Sequence, residues 1–186
     1  MNTNSFIWDD NLTPYGGTLS KETLLSMIKS SAPLIENFQD IDLQLQPNGF
    51  DMTLQTIAKF TTQGKLESGD QAATISQIEE LHFDTTGCIY LKEGCYLATI
   101  NEIVSLPLNI MALARPRSTL LRSGVSIHSA VWDAGYRGRS QTLLTVYNPL
   151  GYTIAKDSRI MQMVFFHLSQ STQEGYTGRY QRENLD

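Results

Sequence analysis

An arginine-rich segment in the second half of this 186-residue chain carries a dense set of groups that could bind an anion. It reads Ala114-Arg115-Pro116-Arg117-Ser118-Thr119-Leu120-Leu121-Arg122-Ser123-Gly124. Guanidinium groups bind phosphate oxygens bidentately, hydroxyl and backbone N–H groups add donors, and a glycine permits close approach. The segment therefore indicates a phosphate site. A short helical turn with a solvent-facing basic side has the same composition and is the alternative.

A second segment places a carboxylate at the end of a predicted strand. Residues 125–132 alternate in side-chain character as a strand does, and the turn sequence Asp133-Ala134-Gly135 follows them. A carboxylate in that position could act as the general base that activates a water molecule. An ordinary turn aspartate is the alternative. Tyr136 follows the glycine and could stack on a sugar or a base, or could be an exposed turn residue.

Two further segments could complete a ligand site. Near the end of the sequence, glycines separate aromatic residues in Glu174-Gly175-Tyr176-Thr177-Gly178-Arg179-Tyr180-Gln181. This pattern predicts a mobile flap that orders over a ligand, and a frayed polar tail is the alternative. Much earlier in the chain, Asp51 follows an Asn-Gly-Phe run. It could support the site or form a structural Asx turn.

The elements that must position these groups are mainly short strands. One helix is predicted over about residues 20–30, where Ser20 caps the start, Glu22 lies in the first turn and Pro33 follows the end. Residues 64–80 are polar and non-periodic, which predicts a loop or a short helix. Many short strands after one early helix favour a barrel or jelly roll over a βαβ fold. The β-branched and aromatic runs that predict strands are 50–58, 88–91, 96–100, 125–132, 142–147 and 160–168.

Composition and charge exclude several classes of protein. Apolar residues make up 41% and charged residues 18%, which argues against disorder. No apolar stretch reaches the roughly 20 residues of a membrane span, and the net charge of −5 argues against non-specific DNA binding. The first ten residues lack the pattern of a secretory signal, so we expect a cytoplasmic protein.

The charge is distributed unevenly along the chain. Residues 1–114 carry five lysines and 14 acids, a balance of −9, whereas residues 115–186 carry nine bases and five acids, a balance of +4. Every arginine lies in the second of these segments. The local charge of +4 suits a small anionic ligand, which the net charge of −5 of the whole chain would not indicate.

The cysteines and histidines do not predict a resident metal. Cys88 and Cys95 flank a turn between two predicted strands, and their spacing fits neither a redox pair nor a zinc site. A cross-hairpin disulfide is one outcome, and buried free thiols are favoured in a cytoplasmic chain. The histidines, at positions 82, 128 and 167, lack metal-ligand spacing.

Taken in order, these segments resemble those of the trimeric dUTP pyrophosphatase / dCTP deaminase superfamily, particularly its archaeal-type dUTP pyrophosphatase branch. The resemblance covers about residues 40–181. Its motifs are Arg117-Ser118-Thr119-Leu120-Leu121-Arg122-Ser123-Gly124, Asp133-Ala134-Gly135-Tyr136-Arg137-Gly138 and Ile160-Met161-Gln162. It implies a distorted jelly-roll β-barrel protomer of the dUTPase-like type, forming a homotrimer with active sites between subunits. It divides the chain into an N-terminal arm (1–39), the barrel domain (40–168) and a C-terminal flap (169–186).

The resemblance also implies a role for each motif residue. Asp133 would orient and deprotonate the attacking water, and Tyr136 would pack against the deoxyribose where a ribose 2′-hydroxyl cannot fit. Magnesium would arrive with the triphosphate rather than in a protein cage, with Asp51 as a candidate support. The residues expected to bind the substrate are Arg117, Ser118, Thr119, Arg122, His128, Tyr136, Gln162, Arg179, Tyr180 and Gln181.

One departure from the superfamily separates two reactions. The deaminase branch needs a glutamate in the strand after the Asp133 turn, but residues 141–148 contain no acid and Thr145 lies nearest to that position. The sequence therefore favours hydrolysis of dUTP to dUMP and pyrophosphate. The alternatives are a dCTP deaminase or bifunctional enzyme, a non-catalytic nucleotide-binding trimer, and a cupin-like metal-binding jelly roll. The tail also lacks the full glycine-rich, phenylalanine-containing motif of ordinary dUTP pyrophosphatases.

Overall fold

A computed structural model describes residues 17–68 and 73–185. The first ten residues, on which the expectation about a secretory signal depends, lie outside this range. Within it the chain is mainly β, as predicted. None of the helices in the described ranges has the length and apolar character needed to cross a membrane.

Three short helices accompany the strands in the described ranges. The predicted N-terminal helix is α1 (Lys21–Ile28), and the Ser20 hydroxyl caps it by accepting a hydrogen bond from the Thr23 backbone N–H at 3.3 Å. Its buried side chains are Leu24 and Ile28, four residues apart on one face. The other two helices are α2 (Ile41–Gln44) and α3 (Ser118–Arg122).

The strands form one large curled sheet and two small ones. The strands are β1 (Gly17–Thr18), β2 (Ile35–Glu36), β3 (Leu45–Gln46), β4 (Gly49–Phe60), β5 (Ile78–Leu81), β6 (Cys88–Leu91), β7 (Gly94–Ile100), β8 (Ile103–Ser105), β9 (Ile110–Pro116), β10 (Val125–His128), β11 (Arg137–Gly138), β12 (Gln141–Val146), β13 (Tyr152–Ala155) and β14 (Arg159–His167). The large sheet runs β1-β14-β4-β7-β12-β10, with β3 and β5 paired to β4, and β9 paired to β14. The small sheets are β11-β8-β2 and β13-β6.

The core lies inside the curl of the large sheet. The long strands β4 and β14 are buried over much of their length, and in β4 the six consecutive residues from Gly49 to Leu54 are all buried. Burial of apolar side chains is worth about 25 cal/mol per Å² of apolar area, so this core stabilises the curled sheet. The largest fully buried side chains include Phe50, Leu54, Ile57, Ile100, Ile110 and Phe165.

Several elements differ from the sequence-based predictions. The predicted polar loop at 64–80 ends in β5, which pairs with the end of β4 although most of its side chains are exposed. The strand predicted over 125–132 ends at His128, and Trp132 returns to the sheet through an isolated bridge to Ala112 on β9. Strand β9 itself was not predicted, because prolines punctuate both ends of that region.

The two cysteines lie on strands that belong to different sheets. Cys88 is on β6, which pairs with β13, whereas Cys95 is on β7, which pairs with β4 and β12. The predicted turn joins these strands in sequence, but the cross-hairpin pairing needed for a disulfide does not form. Both thiols are free, as favoured, but Cys95 is exposed, so the expectation that both are buried is wrong.

A buried carboxylate, Glu102, connects β4 to α2. Its Oε1 atom accepts hydrogen bonds from Gln44 Nε2 (2.7 Å) and Thr53 Oγ1 (2.6 Å), and its Oε2 atom accepts one from the Thr53 backbone N–H (3.0 Å). Burial raises the pKa of Glu102 above its ordinary value, and these hydrogen bonds act against that shift. Among the described residues, Glu102 has three hydrogen-bond donors and no paired cation. The site therefore requires a side chain that only accepts hydrogen bonds.

We expect Glu102→Gln to lower the free energy of unfolding by about 1–3 kcal/mol, because the new amide NH₂ would face a donor and leave it unsatisfied. Urea denaturation at neutral pH measures the change. The matched control is Glu80→Gln, which makes the same substitution at an exposed position of β5. Equal unfolding free energies for Glu102→Gln and the unsubstituted chain would contradict this account.

Candidate active site

Three neighbouring strands bring the predicted substrate-binding residue Gln162 into one row with Asp51 and Arg115. In the register of the large sheet, Gln162 on β14 lies opposite Arg115 on β9 and opposite Asp51 on β4. The backbone N–H of Arg117 bonds to the Ile160 carbonyl at 3.1 Å, which continues the row past the end of β9. Residues far apart in sequence therefore form one polar surface at this end of the sheet.

Asp51 holds two guanidinium groups at this surface. Its Oδ2 atom lies 3.1 Å from Arg117 Nε and 3.2 Å from Arg159 Nη1, and its side chain is only 4% exposed. Burial raises the pKa of the Asp51 carboxyl, and the charges of Arg117 and Arg159 act against that shift. Arg159 also bonds to the Leu43 carbonyl. Asp51 therefore fixes the orientation of the Arg117 side chain.

Helix α3 carries the hydroxyls of the arginine-rich segment. Arg117 is the residue before its first turn, Ser118 and Thr119 begin it, and Arg122 ends it. Ser118, Thr119 and Arg122 are exposed, whereas Leu120 is buried and anchors the helix to the core. The helical turn therefore carries the same arginine and hydroxyl groups that the sequence predicts to bind an anion, so the two interpretations of this segment are compatible.

Asp133 and Tyr136 lie at a small cavity of about 80 Å³. Asp133 is exposed at the turn, and Tyr136 is buried with 5% of its surface exposed. Gly135 between them has φ +83°, and a Cβ there would lie 2.6 Å from Gly175 Cα, so the turn needs glycine for both reasons. The cavity is lined by Ala130, Val131, Trp132, Asp133, Tyr136, Ser140, Gln141, Tyr176 and Glu183.

A directed chain of hydrogen bonds forms one wall of this cavity. Trp132 Nε1 donates to Ser140 Oγ (2.6 Å), the hydroxyls of Ser140 and Tyr136 are 2.8 Å apart, and Tyr136 donates to Glu183 Oε1 at 2.8 Å. Because the Tyr136 phenol donates its one proton to Glu183, the Ser140 hydroxyl must be the donor to the phenol oxygen, while Ser140 accepts from the indole N–H. Burial, aided by the negative Glu183, raises the pKa of the Tyr136 phenol.

The C-terminal segment packs onto the Asp133 turn of its own chain. The Tyr176 backbone N–H donates to the Ala134 carbonyl (2.8 Å). The Tyr176 and Tyr136 rings pack edge-on, with their centroids 5.9 Å apart. The Gln181 amide bonds to the Gly135 carbonyl and accepts from the Arg137 backbone N–H, both at 2.8 Å. These contacts show an ordered arrangement in place of the frayed-tail alternative.

Some predicted site residues lie away from this cavity. Arg179 and Tyr180 are exposed on the tail, and His128 is exposed on the edge strand β10 with Nε2 3.2 Å from the Tyr147 hydroxyl. Sequence reasoning missed Ser140 and Glu183, which the hydrogen-bond chain includes. Glu183 follows the predicted tail motif by only two residues, but neither it nor Ser140 belongs to a recognisable pattern.

The polar surface formed by Asp51, Arg117, Gln162 and helix α3, called the phosphate surface, lies at a different point along β9 from the Asp133 cavity. Trp132 sits beside Ala112, whereas Arg117, which follows the end of β9, is five residues farther along the chain, or about 16 Å. One chain therefore does not bring Asp133 next to Arg117.

The donors at this site suit phosphate oxygens better than a metal ion. In residues 17–68 and 73–185, no group of three or more His, Cys, Asp or Glu side chains is arranged to hold a metal ion. Asp51, the candidate support for the metal, is already ion-paired with two arginines. The donor set at the phosphate surface is cationic and hydroxylic, which suits phosphate oxygens.

Docking of the tail is expected to weaken as the pH rises. Burial raises the pKa of Glu183 above its ordinary value, and its hydrogen bond with Tyr136 opposes the shift. A carboxyl with a higher pKa when docked than when free favours docking below its free pKa, and this contribution is lost as the pH rises through the docked pKa. The other titratable or charged residues around Glu183 are Tyr136, Tyr176, Asp133 and Arg139.

An NMR titration of the Arg182 amide from acidic to neutral pH measures this effect, because that N–H bonds to the Arg137 carbonyl only when the tail is docked. The amide shift is expected to move toward its free value as the pH rises. Glu183→Gln, which cannot ionise, serves as the control and should remove the transition. A transition that persists unchanged in this variant would assign it to another group.

Comparison with known proteins gives consistent matches over most of the chain. The dCTP deaminase-like family model matches residues 18–168. A probable deoxyuridine 5'-triphosphate nucleotidohydrolase of Methanosarcina mazei is 44% identical over 168 residues, covering 90% of this chain and 98% of the relative. The protein of the same name from Archaeoglobus fulgidus is 40% identical over 168 residues, with the same coverage of both chains.

A solved structure shares the fold. The 2'-deoxycytidine 5'-triphosphate deaminase from Agrobacterium tumefaciens superposes with a TM-score of 0.66 at 18% identity. The match covers 83% of this chain and 49% of the deaminase chain, so this chain spans about half the length of that protein. At this identity the likeness concerns the fold alone.

Proposed function

This chain belongs to the dCTP deaminase-like family, and on that premise we propose that it is a dUTP pyrophosphatase, which hydrolyses dUTP to dUMP and pyrophosphate. The observation that carries the proposal is the match to archaeal relatives with the name deoxyuridine 5'-triphosphate nucleotidohydrolase. It reaches 44% identity and includes 98% of the relative's length. The resemblance of the sequence motifs points to the same reaction.

The strand after the Asp133 turn supports hydrolysis over deamination. Strand β12 contains no acid. Thr145 lies near the position where a deaminase would need its glutamate; it is buried, with its hydroxyl 3.8 Å from Cys95 Sγ. A threonine at this position cannot exchange protons with a cytosine ring, because its hydroxyl does not titrate in the required range.

In the proposed reaction Asp133 acts on water. The Asp133 carboxylate accepts a proton from a water molecule whose oxygen attacks the α-phosphorus of dUTP. The bond between the α-phosphorus and the α,β-bridging oxygen breaks, and pyrophosphate leaves with the electron pair. The exposed position of Asp133 at a turn, beside the small cavity, leaves it accessible to both water and nucleotide.

We assign the triphosphate to the phosphate surface. Arg117 and Arg122 would neutralise charge on the departing pyrophosphate, and Ser118 would donate to a phosphate oxygen. The substrate is taken as the magnesium complex of dUTP, in which the ion shields phosphate charge. Asp51 acts on this surface through Arg117. The remaining proposed substrate contacts are Thr119, His128, Tyr136, Gln162, Arg179, Tyr180 and Gln181.

We further propose that the chain works as a homotrimer with sites between subunits. The separation of about 16 Å along the chain between Ala112, beside the Asp133 cavity, and Arg117 supports this arrangement. Arg117 of one subunit and Asp133 of another could then face the same nucleotide. In this scheme residues 40–168 form the barrel, 169–186 form the flap and 1–39 form an arm. A free deoxynucleotide substrate suggests that the enzyme works in the cytoplasm.

Product analysis with dUTP, dCTP, dTTP and UTP in the presence of magnesium tests the proposal. We expect pyrophosphate release with dUTP and much less with the other three. Ammonia release from dCTP would instead indicate a deaminase or a bifunctional enzyme. Tight binding of dUTP without pyrophosphate release would indicate a non-catalytic nucleotide-binding protein.

A further inference from the structure

The Tyr136 ring is held by three groups, and two of them, Tyr176 and Glu183, come from the tail. Its hydroxyl is bonded to Ser140 and to Glu183, both at 2.8 Å, and its ring packs edge-on against Tyr176. With 5% of the residue exposed, little open space surrounds the ring. The position of this ring therefore depends on the Glu183 carboxyl, which lies 47 residues farther along the chain.

We propose that Glu183 is a positioning residue that sets the discrimination between deoxyribose and ribose through Tyr136. The inference rests on the proposed function, in which Tyr136 packs against the deoxyribose. A ring that is free to turn aside could make room for a 2′-hydroxyl. A ring fixed at its hydroxyl by Ser140 and Glu183 cannot move without breaking a hydrogen bond to a charged group.

The surroundings of Glu183 support a specific contact over a chance one. The carboxyl is half-buried, and its backbone carbonyl accepts from the Arg139 N–H at 3.0 Å, which fixes the chain on either side of the cluster. Gly138 leaves room for the contact. A Cβ at that position would lie 2.5 Å from the Tyr136 hydroxyl oxygen and 3.2 Å from Glu183 Cγ.

The direction of the hydrogen-bond chain gives Glu183 a defined part. Trp132 donates to Ser140, Ser140 donates to Tyr136, and Tyr136 donates to Glu183. The carboxyl is the acceptor at the end of this series, so its loss leaves the phenol proton without its partner. A glutamine would keep an acceptor oxygen at the same place, whereas an alanine would not.

The test compares the binding of UDP and dUDP by calorimetry, and turnover of UTP and dUTP, in the full-length protein. We expect Glu183→Ala to reduce the preference for the deoxynucleotide about tenfold, because the substitution removes one charge-assisted hydrogen bond to Tyr136. Glu183→Gln should restore most of the preference. Glu174→Ala, which removes an exposed glutamate from the same tail, is the matched control and should leave the preference unchanged.

A double-mutant cycle shows whether Glu183 acts through the phenol. Tyr136→Phe keeps the ring and removes its hydroxyl, so it should reduce the preference on its own, and adding Glu183→Ala should reduce it no further. Gly138→Ala would displace the Tyr136 hydroxyl sterically and should also reduce the preference for the deoxynucleotide. The inference would be overturned if the losses of preference from Tyr136→Phe and Glu183→Ala multiplied in the double variant. An unchanged preference in Glu183→Ala would also overturn it.

The two proposals fail separately. Absence of dUTP hydrolysis by the unsubstituted protein would refute the proposed function, but the ratio of the UDP and dUDP dissociation constants would still test the role of Glu183. Normal dUTP hydrolysis together with an unchanged ratio in Glu183→Ala would refute the positioning role alone.

Discussion

Replacing Asp133 by asparagine is expected to lower the turnover of dUTP by about 10²–10⁴-fold while nucleotide binding is retained. Asparagine has nearly the same shape as aspartate but cannot accept the proton of the attacking water, and a positioned general base contributes a factor of this size. The groups proposed to bind the triphosphate lie on other elements, α3 and β14, and remain intact. The loss should therefore be found in kcat, with little change in KM.

Pyrophosphate release at saturating magnesium measures turnover, and calorimetry with a non-hydrolysable dUTP analogue measures binding. Asp84→Asn is the matched control, since Asp84 is an exposed turn aspartate whose side chain accepts from Thr86 and Cys88 N–H groups. Its asparagine variant should keep full activity. Turnover near that of the unsubstituted enzyme in Asp133→Asn would remove Asp133 from the mechanism.

Replacing Asp51 by alanine is expected to lower the free energy of unfolding by about 3 kcal/mol. Asp51 is almost fully buried, and its removal leaves Arg117 and Arg159 without their shared partner. Breaking a buried ion pair on one side costs about 3–5 kcal/mol, and both guanidinium groups here are partly exposed, which places the expected value at the lower end. The loss of the fixed Arg117 orientation should also raise KM for dUTP about tenfold.

Magnesium distinguishes the two roles considered for Asp51. If Asp51 holds Arg117, the rise in KM for dUTP persists at every magnesium concentration. If it supports the metal instead, excess magnesium should largely restore KM. Denaturant unfolding gives the stability change, with Asp42→Ala as a control because Asp42 is an exposed acid on α2. An unfolding free energy equal to that of the control would contradict the structural role.

Local patterns predicted the elements with strong periodic signals. The N-terminal helix begins after Ser20 as expected, because capping and an apolar stripe are encoded within a few residues. Strand β6 has the predicted ends, and β7 extends the prediction by two residues. Strands with exposed or punctuated sequences were not predicted. β5 is mostly exposed, and β9 is recognised only through its pairing with β14.

The features of the candidate site likewise divide into those that local sequence patterns predicted and those that they did not. The arginine-rich segment, the Asp133 turn and the absence of an acid near Thr145 are properties of consecutive residues, so the sequence alone indicated a phosphate ligand and favoured hydrolysis. The exposed Cys95 and the missing cross-hairpin pairing show the limit of that reasoning, since neighbours in sequence joined different sheets.

By itself, then, the amino-acid sequence determined the kinds of group available for chemistry and their order along the chain. Only the tertiary structure decided which of them meet. Asp51 pairs with Arg159 across 108 residues, and Tyr136 bonds to Glu183 across 47. Such contacts depend on strand register and on how the tail docks, and these are set by the burial of the whole core rather than by any local pattern. For that reason the partners of Asp51 and Tyr136 carry no signature in the residues beside them.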